Sequence, residues 1–211
     1  MTKKYDAIIF DLGGVLYDID VQRTIDAFAA IGIKNFEKHY TLKEQTDLFD
    51  SLEKGLIGED EFVKAIQKIS QEDLSDEQIK IAWNAILIGM PLESVDLLKK
   101  LKQQGYKLYL LSNTNIFHYT EINKEMQIKY GVNALSDLFD MAYYSFQMGM
   151  RKPDAEIFQK VISDHNLLST STIFIDDNAD NINGSLQAGV PAILKTKHQS
   201  LVDLFKENQI L

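Results

Sequence analysis

Five short apolar runs punctuate the chain: AIIF at 7–10, KLYLL at 107–111, MAYYSF at 141–146, TIFI at 172–175 and PAIL at 191–194. They are rich in β-formers and lack strict polar alternation, the pattern of strands buried on both faces. Helical patterns separate them. The segment PLESVDLLKKLKQQG (91–105) lines up Leu92, Val95, Leu98 and Leu101 on one face, with Pro91 near its start and Gly105 at its end. The segment PDAEIFQKVISDHN (153–166) pairs Ile157 with Val161 and Phe158 with Ile162 at i,i+4 spacing. Strand and helix in alternation predict an α/β fold, a parallel, doubly wound sheet.

The rhythm breaks between about residues 18 and 90. This stretch holds no strand pattern but several amphipathic ones, including EFVKAIQKI (61–69) and DEQIKIAWNAIL (76–87). It is too long for a simple crossover. The expectation is a core formed by 1–17 and 91–211, with 18–90 inserted as an α-helical cap domain.

Composition narrows the picture. The chain has 211 residues, no cysteine and a net charge of −9. Disulfides, thiolate metal sites and a cysteine nucleophile are excluded. An acidic total argues against nucleic acid as a partner. The opening MTKKYDAIIF has only a four-residue apolar run, and no later run approaches a membrane span. A cytoplasmic monomer or homodimer with no membrane partner is expected.

In an open parallel sheet, ligands bind beyond the carboxyl ends of the strands. Those ends carry Asp11; then Ser112, Asn113, Thr114 and Asn115; then Arg151 and Lys152; then Asp176, Asp177, Asp180 and Asn181. Acids from two strands can share a divalent cation. A hydroxyl, amides and a lysine can hold phosphate oxygens. A phosphate dianion beside Asp11, Asp176 and Asp177 brings the charge to about −5, and Lys152 with one Mg²⁺ returns three. Bland readings stand beside these. The DDNADN segment could simply cap a helix. Ser112 and Asn113 could be turn residues, and Lys152 a solvated one. His39 and His118 read as structural or exposed, and Trp83 as core of the helical segment. Glu53 and Gly55, in EKGLIGEDEF (53–62), form either a substrate-selecting turn or a solvated one.

The segments FDLGGVLYDID (10–20), LSNTN (111–115), GMRKPDAEIFQ (149–159) and FIDDNADNI (174–182) resemble, in this order, the four motifs of the haloacid-dehalogenase-like (HAD) hydrolase superfamily. They are most similar to the bacterial branch containing α-D-glucose-1-phosphate phosphatase. The resemblance implies a Rossmann-like parallel-sheet core with an α-helical cap inserted after the first strand, and a Mg²⁺-dependent phosphatase acting on a small phosphorylated metabolite, a sugar phosphate, through an aspartyl-phosphate. It implies Asp11 as nucleophile, Ser112 and Lys152 on the phosphoryl group, Asn113 with them in substrate binding, and Mg²⁺ on Asp11, Asp177 and the Gly13 carbonyl. Asp176 and Asn181 are implied in support, and Glu53 and Gly55 in substrate selection. Most HAD phosphatases carry a second aspartate two residues after the nucleophile, where this chain has Gly13. Asp18 and Asp20 are the candidate stand-ins for its proton. The glycine also admits two rivals: a metal-independent 2-haloacid dehalogenase and a non-catalytic binding protein of the same fold.

Overall fold

The computed structural model describes residues 3–34, 36, 47–70 and 72–211. His39 lies outside them. Strand β1 (Ala7–Phe10) is the centre of a five-stranded parallel sheet. It pairs on one side with β4 (Lys107–Ser112), which pairs in turn with β5 (Met141–Tyr144). On the other side it pairs with β6 (Thr172–Asp176), and β6 with β7 (Ala192–Leu194). The apolar runs are explained by two-sided burial. Ile8, Phe10, Leu108, Leu110, Ile173 and Ile175 pack into one core layer, and Ile9, Tyr109, Leu111 and Phe174 into the other. Helices α5 (Leu92–Gln103) and α10 (Leu201–Glu207) cover the first face. Helix α8 (Ala155–Asp164) covers the second with Ile157, Phe158 and Val161. The run at 141–146 is shorter as a strand than its pattern predicts. Its last two residues open the one-turn helix α7 (Ser145–Met148).

Between β1 and β4 the expected helical segment is present as α1 (Val21–Ala30), α2 (Asp47–Glu53), α3 (Glu59–Ile69) and α4 (Asp76–Asn84). Their apolar faces form a separate cluster around Phe28, Phe49, Phe62, Ile66 and Trp83. Trp83 is core here, as its sequence context suggests. Helix starts are locally encoded. Ser75 and Gln78 cap α4 reciprocally, at 2.9 Å for Ser75 N to Gln78 Oε1 and 3.3 Å for Gln78 N to Ser75 Oγ.

One expectation needs correcting. The stretch 18–90 does contain strand structure: β2 (Asp18–Ile19) pairs antiparallel with β3 (Leu87–Gly89). Two- and three-residue strands are too short to show a hydrophobic period, so their pairing is legible only in space. This ribbon is the double connection between the sheet and the helical segment. Among the described residues no helix is long and apolar enough to cross a membrane.

Candidate active site

Asp11 follows β1 directly, and its N–H donates to Ile175 O at 2.9 Å, holding it level with the end of β6. Asp176 is the last residue of β6 and is wholly buried. Between them lies Lys152, 1 % exposed. Its Nζ donates to Asp11 Oδ1 at 2.6 Å and to Asp176 Oδ2 at 2.7 Å. A lysine this buried needs such partners, because desolvation of an unpaired ammonium is very costly. The bland reading of Lys152 as a solvated side chain is thereby excluded.

The lysine is aimed by its main chain. Asn113 Nδ2 donates to Lys152 O and Lys152 N donates to Asn113 Oδ1, both at 2.9 Å. The loop after β4 is tied again one residue on. Thr114 N donates to Ser145 Oγ, and Ser145 Oγ donates to Thr114 O, each at 3.0 Å. Ser112, which ends β4, is buried beside them. Asn115 caps α6 (Ile116–Tyr130), its Oδ1 accepting from Phe117 N at 3.1 Å and His118 N at 3.2 Å.

The acidic pair divides its labour. Asp176 Oδ1 accepts from Asn178 N at 2.8 Å, and Asn181 Nδ2 donates to both Asp176 oxygens at 3.1 and 3.0 Å. With Lys152 also on Oδ2, Asp176 is saturated. Asp177 projects from the start of the next loop, more open to solvent. Asn178 caps α9 (Ala179–Gln187) by accepting from Asp180 N at 2.8 Å. The DDNADN segment is thus both a helix start and a site wall.

Carboxylate oxygens of Asp11, Asp176 and Asp177 lie within 4.8 Å of one another. Burial drives the Asp11 carboxyl up to about 7; Lys152 opposes this, and the charges of Asp176 and Asp177 add to it. Burial also raises Asp177, with Asp176 adding to the effect. For Lys152, burial works against the ammonium, but Asp11 and Asp176 outweigh it and hold its pKa above the ordinary value. Crowded acids with one lysine between them form a hard oxygen donor set, which suits Mg²⁺. Asp11 and Asp177 have oxygens to offer; those of Asp176 are already engaged. The adjoining turn is built for close approach. Gly14 has φ +73°, and a Cβ there would stand 2.1 Å from Asp177 Oδ2.

Glu53 and Gly55 lie where the helical segment meets the sheet. A Cβ on Gly55, φ +65°, would stand 2.1 Å from Phe146 O. Arg151, the neighbour of Lys152, spans the same gap, with Nη1 3.1 Å from Asp50 Oδ1 and Nη2 3.0 Å from Glu53 Oε2. Of the two stand-in acids, Asp20 caps α1, accepting from Gln22 N at 3.0 Å, and Asp18 lies exposed on β2. Sequence reasoning missed three participants: Asp50, Ser145 and Lys195. The last follows β7 and donates from Nζ to Gly14 O at 2.9 Å. A lone lysine after an apolar run carries no local signal.

A buried lysine bridges acids from two neighbouring strand ends, with a third acid open beside them. Residues 5–189 match the family described as haloacid dehalogenase-like hydrolase, and the chain belongs to that family. It is 34% identical over 187 residues to a D-ribitol-5-phosphate phosphatase of Bacteroides thetaiotaomicron, covering 86% of this chain and 87% of the relative. It is 26% identical to a sesquiterpene phosphatase of Aspergillus oryzae, covering 90% and 89%. A HAD family enzyme of B. thetaiotaomicron, solved as an aspartate-to-alanine variant with magnesium and inorganic phosphate, superposes with TM-score 0.90 at 34% identity, over 95% of this chain and 98% of that one. The L-2-haloacid dehalogenase of Xanthobacter autotrophicus shares the fold at TM-score 0.60 and 19% identity, covering 98% and 84%.

Proposed function

We propose that this chain is a Mg²⁺-dependent phosphatase that hydrolyses a small phosphorylated metabolite of the sugar-phosphate class. The observation that carries the reading is Lys152 held between Asp11 and Asp176, with Asp177 left open beside them. The named phosphatases among its relatives support it, as does a similar HAD enzyme solved with magnesium and phosphate. The dehalogenase alternative is disfavoured, because displacing halide has no use for an open second acid. Its structural likeness extends to the fold alone.

In this reading an Asp11 oxygen attacks phosphorus, the bond to the substrate oxygen breaks, and the leaving alkoxide takes its proton from water. Water then attacks the aspartyl-phosphate, releasing phosphate and restoring the carboxylate. Lys152 spreads the charge of the nucleophile and the phosphoryl oxygens, and Ser112 donates to one of them. Asn113 acts at one remove, by fixing the Lys152 main chain. Asp11, Asp177 and the Gly13 carbonyl would hold Mg²⁺, which neutralises phosphate charge when bound. Asp176 and Asn181 keep Lys152 and the loop in place. Residues 18–90 serve as a cap closing over the substrate, with Glu53 and the Gly55 turn taking part in its selection. The enzyme works in the cytoplasm as a monomer or homodimer, without nucleic-acid or membrane partners.

The test is phosphate release from a panel of sugar and polyol phosphates, with D-ribitol 5-phosphate first, alongside 2-haloacids. Release is expected with Mg²⁺, silenced by EDTA, and abolished in a folded Asp11→Asn variant. Halide release that persists in chelator would overturn the reading.

A further inference from the structure

Lys152 and one divalent cation do not cancel the negative charge that three acids and a phosphate dianion bring to these strand ends. A further cation stands there. Lys195 is the first residue beyond β7, and its N–H donates to Asp176 O at 2.8 Å, fixing it beside the acidic pair. Its side chain is half-buried and donates from Nζ to Gly14 O at 2.9 Å. Gly14 in turn lies flat against the Asp177 carboxylate, with no room for a methyl group between them. A single turn therefore separates the Lys195 ammonium from the carboxylate proposed to hold metal.

We propose that Lys195 is a second cationic positioning residue of this site: it clips the glycine turn after Asp11 and supplies fixed positive charge that favours a dianionic phosphomonoester. The inference rests on the phosphatase reading. It has a signature that a mere turn clip lacks. A fixed positive charge repels Mg²⁺ and attracts phosphate, so its removal moves the two affinities in opposite directions. At several ångströms in a partly solvated site, one charge is worth roughly three- to tenfold in affinity.

Titration calorimetry on the whole protein supplies the test, with Mg²⁺ alone as one ligand and inorganic phosphate at saturating Mg²⁺ as the other. Lys195→Gln keeps a donor for the Gly14 carbonyl without the charge, and Lys195→Met removes both. In each, Mg²⁺ binding is expected to tighten, and phosphate binding to weaken, by roughly three- to tenfold. Lys195→Arg should stay near wild type in both. Weakening of both ligands together, in neutral variants whose melting shows them folded, assigns Lys195 to the turn alone and overturns the proposal. So do unchanged affinities. If Lys195→Met fails to fold, Lys195→Gln decides. Wild-type protein that binds neither ligand overturns the phosphatase reading itself, and the inference with it.

Discussion

Two adjacent glycines do different work after Asp11. Gly14 is required twice over, by its left-handed φ of +73° and by the Asp177 oxygen in the space a side chain would need. Gly13 has no such backbone constraint. A Cβ there would first meet Ile19 Cδ1 at 3.1 Å, the movable end of a flexible side chain. An aspartate therefore fits at Gly13 with a small shift of Ile19. Without one, no acid stands two residues from the nucleophile to protonate the leaving oxygen. General acid–base help of this kind contributes about 10²–10⁴-fold. The expected outcome is a steep fall of kcat/KM with rising leaving-group pKa in the wild type, and a shallower one in Gly13→Asp. A graded series of aryl and alkyl phosphates measures both slopes. Equal slopes would show that another group already delivers the proton. Asp18 would then be the first to replace, because Asp20 is occupied in capping α1.

At the scale of elements, the helical segment is tied to the sheet by an ion-pair clasp next to Lys152. Arg151 reaches from the loop before α8 to Asp50 and Glu53 on α2. The three side chains are partly exposed, at 22, 31 and 15 %, so each pair is worth no more than about 1 kcal/mol. Arg151→Ala is expected to cost little stability but to loosen α2 over the site, raising KM about three- to tenfold while kcat changes less. Steady-state kinetics checks it, and high salt should produce a similar shift in the wild type. A fall in kcat at constant KM would mean that Arg151 touches the reacting group instead. The clasp also shows what the sequence could and could not reveal. Strands β1 and β4–β7 were legible because burial on both faces leaves unbroken apolar runs. The strand-end acids and Lys152 were legible because a parallel sheet collects its loops at one edge. The Arg151 partners were not, since about a hundred residues separate them and nothing local marks the pairing. Lys195 and the β2–β3 ribbon escaped for the same reason: each acquires meaning only from a distant neighbour.

At the scale of the whole molecule, the aromatic cluster of the helical segment also meets the sheet's own helices along α6. Phe117 of α6 packs into the cluster beside Phe62. His118 stacks on Trp83 with ring centroids 5.2 Å apart, and its Nε2 lies 3.3 Å from Trp83 O. Asn115, the cap of α6, accepts from Trp83 Nε1 at 3.3 Å and places Nδ2 3.1 Å from His118 Nδ1. Burial lowers the His118 pKa to about 4, with the Trp83 carbonyl only partly opposing it. The unfolded chain therefore takes up a proton near 6.5 that the folded protein resists until about pH 4. The neutral imidazole's contribution is complete above pH 6.5 and is lost as pH falls toward 4. The slope it can impose is at most about 1.4 kcal/mol per pH unit. His118→Gln removes the titration and keeps a polar group for Asn115. Urea unfolding at pH 7 and pH 5 should show the wild type losing roughly 1–2 kcal/mol more than the variant across that interval. Trp83 is the chain's only tryptophan, so its emission reports this contact directly. A red shift on acidification, absent in His118→Gln, should come before global unfolding. Parallel pH profiles for the two proteins would show that His118 is not what couples the helical segment to the sheet.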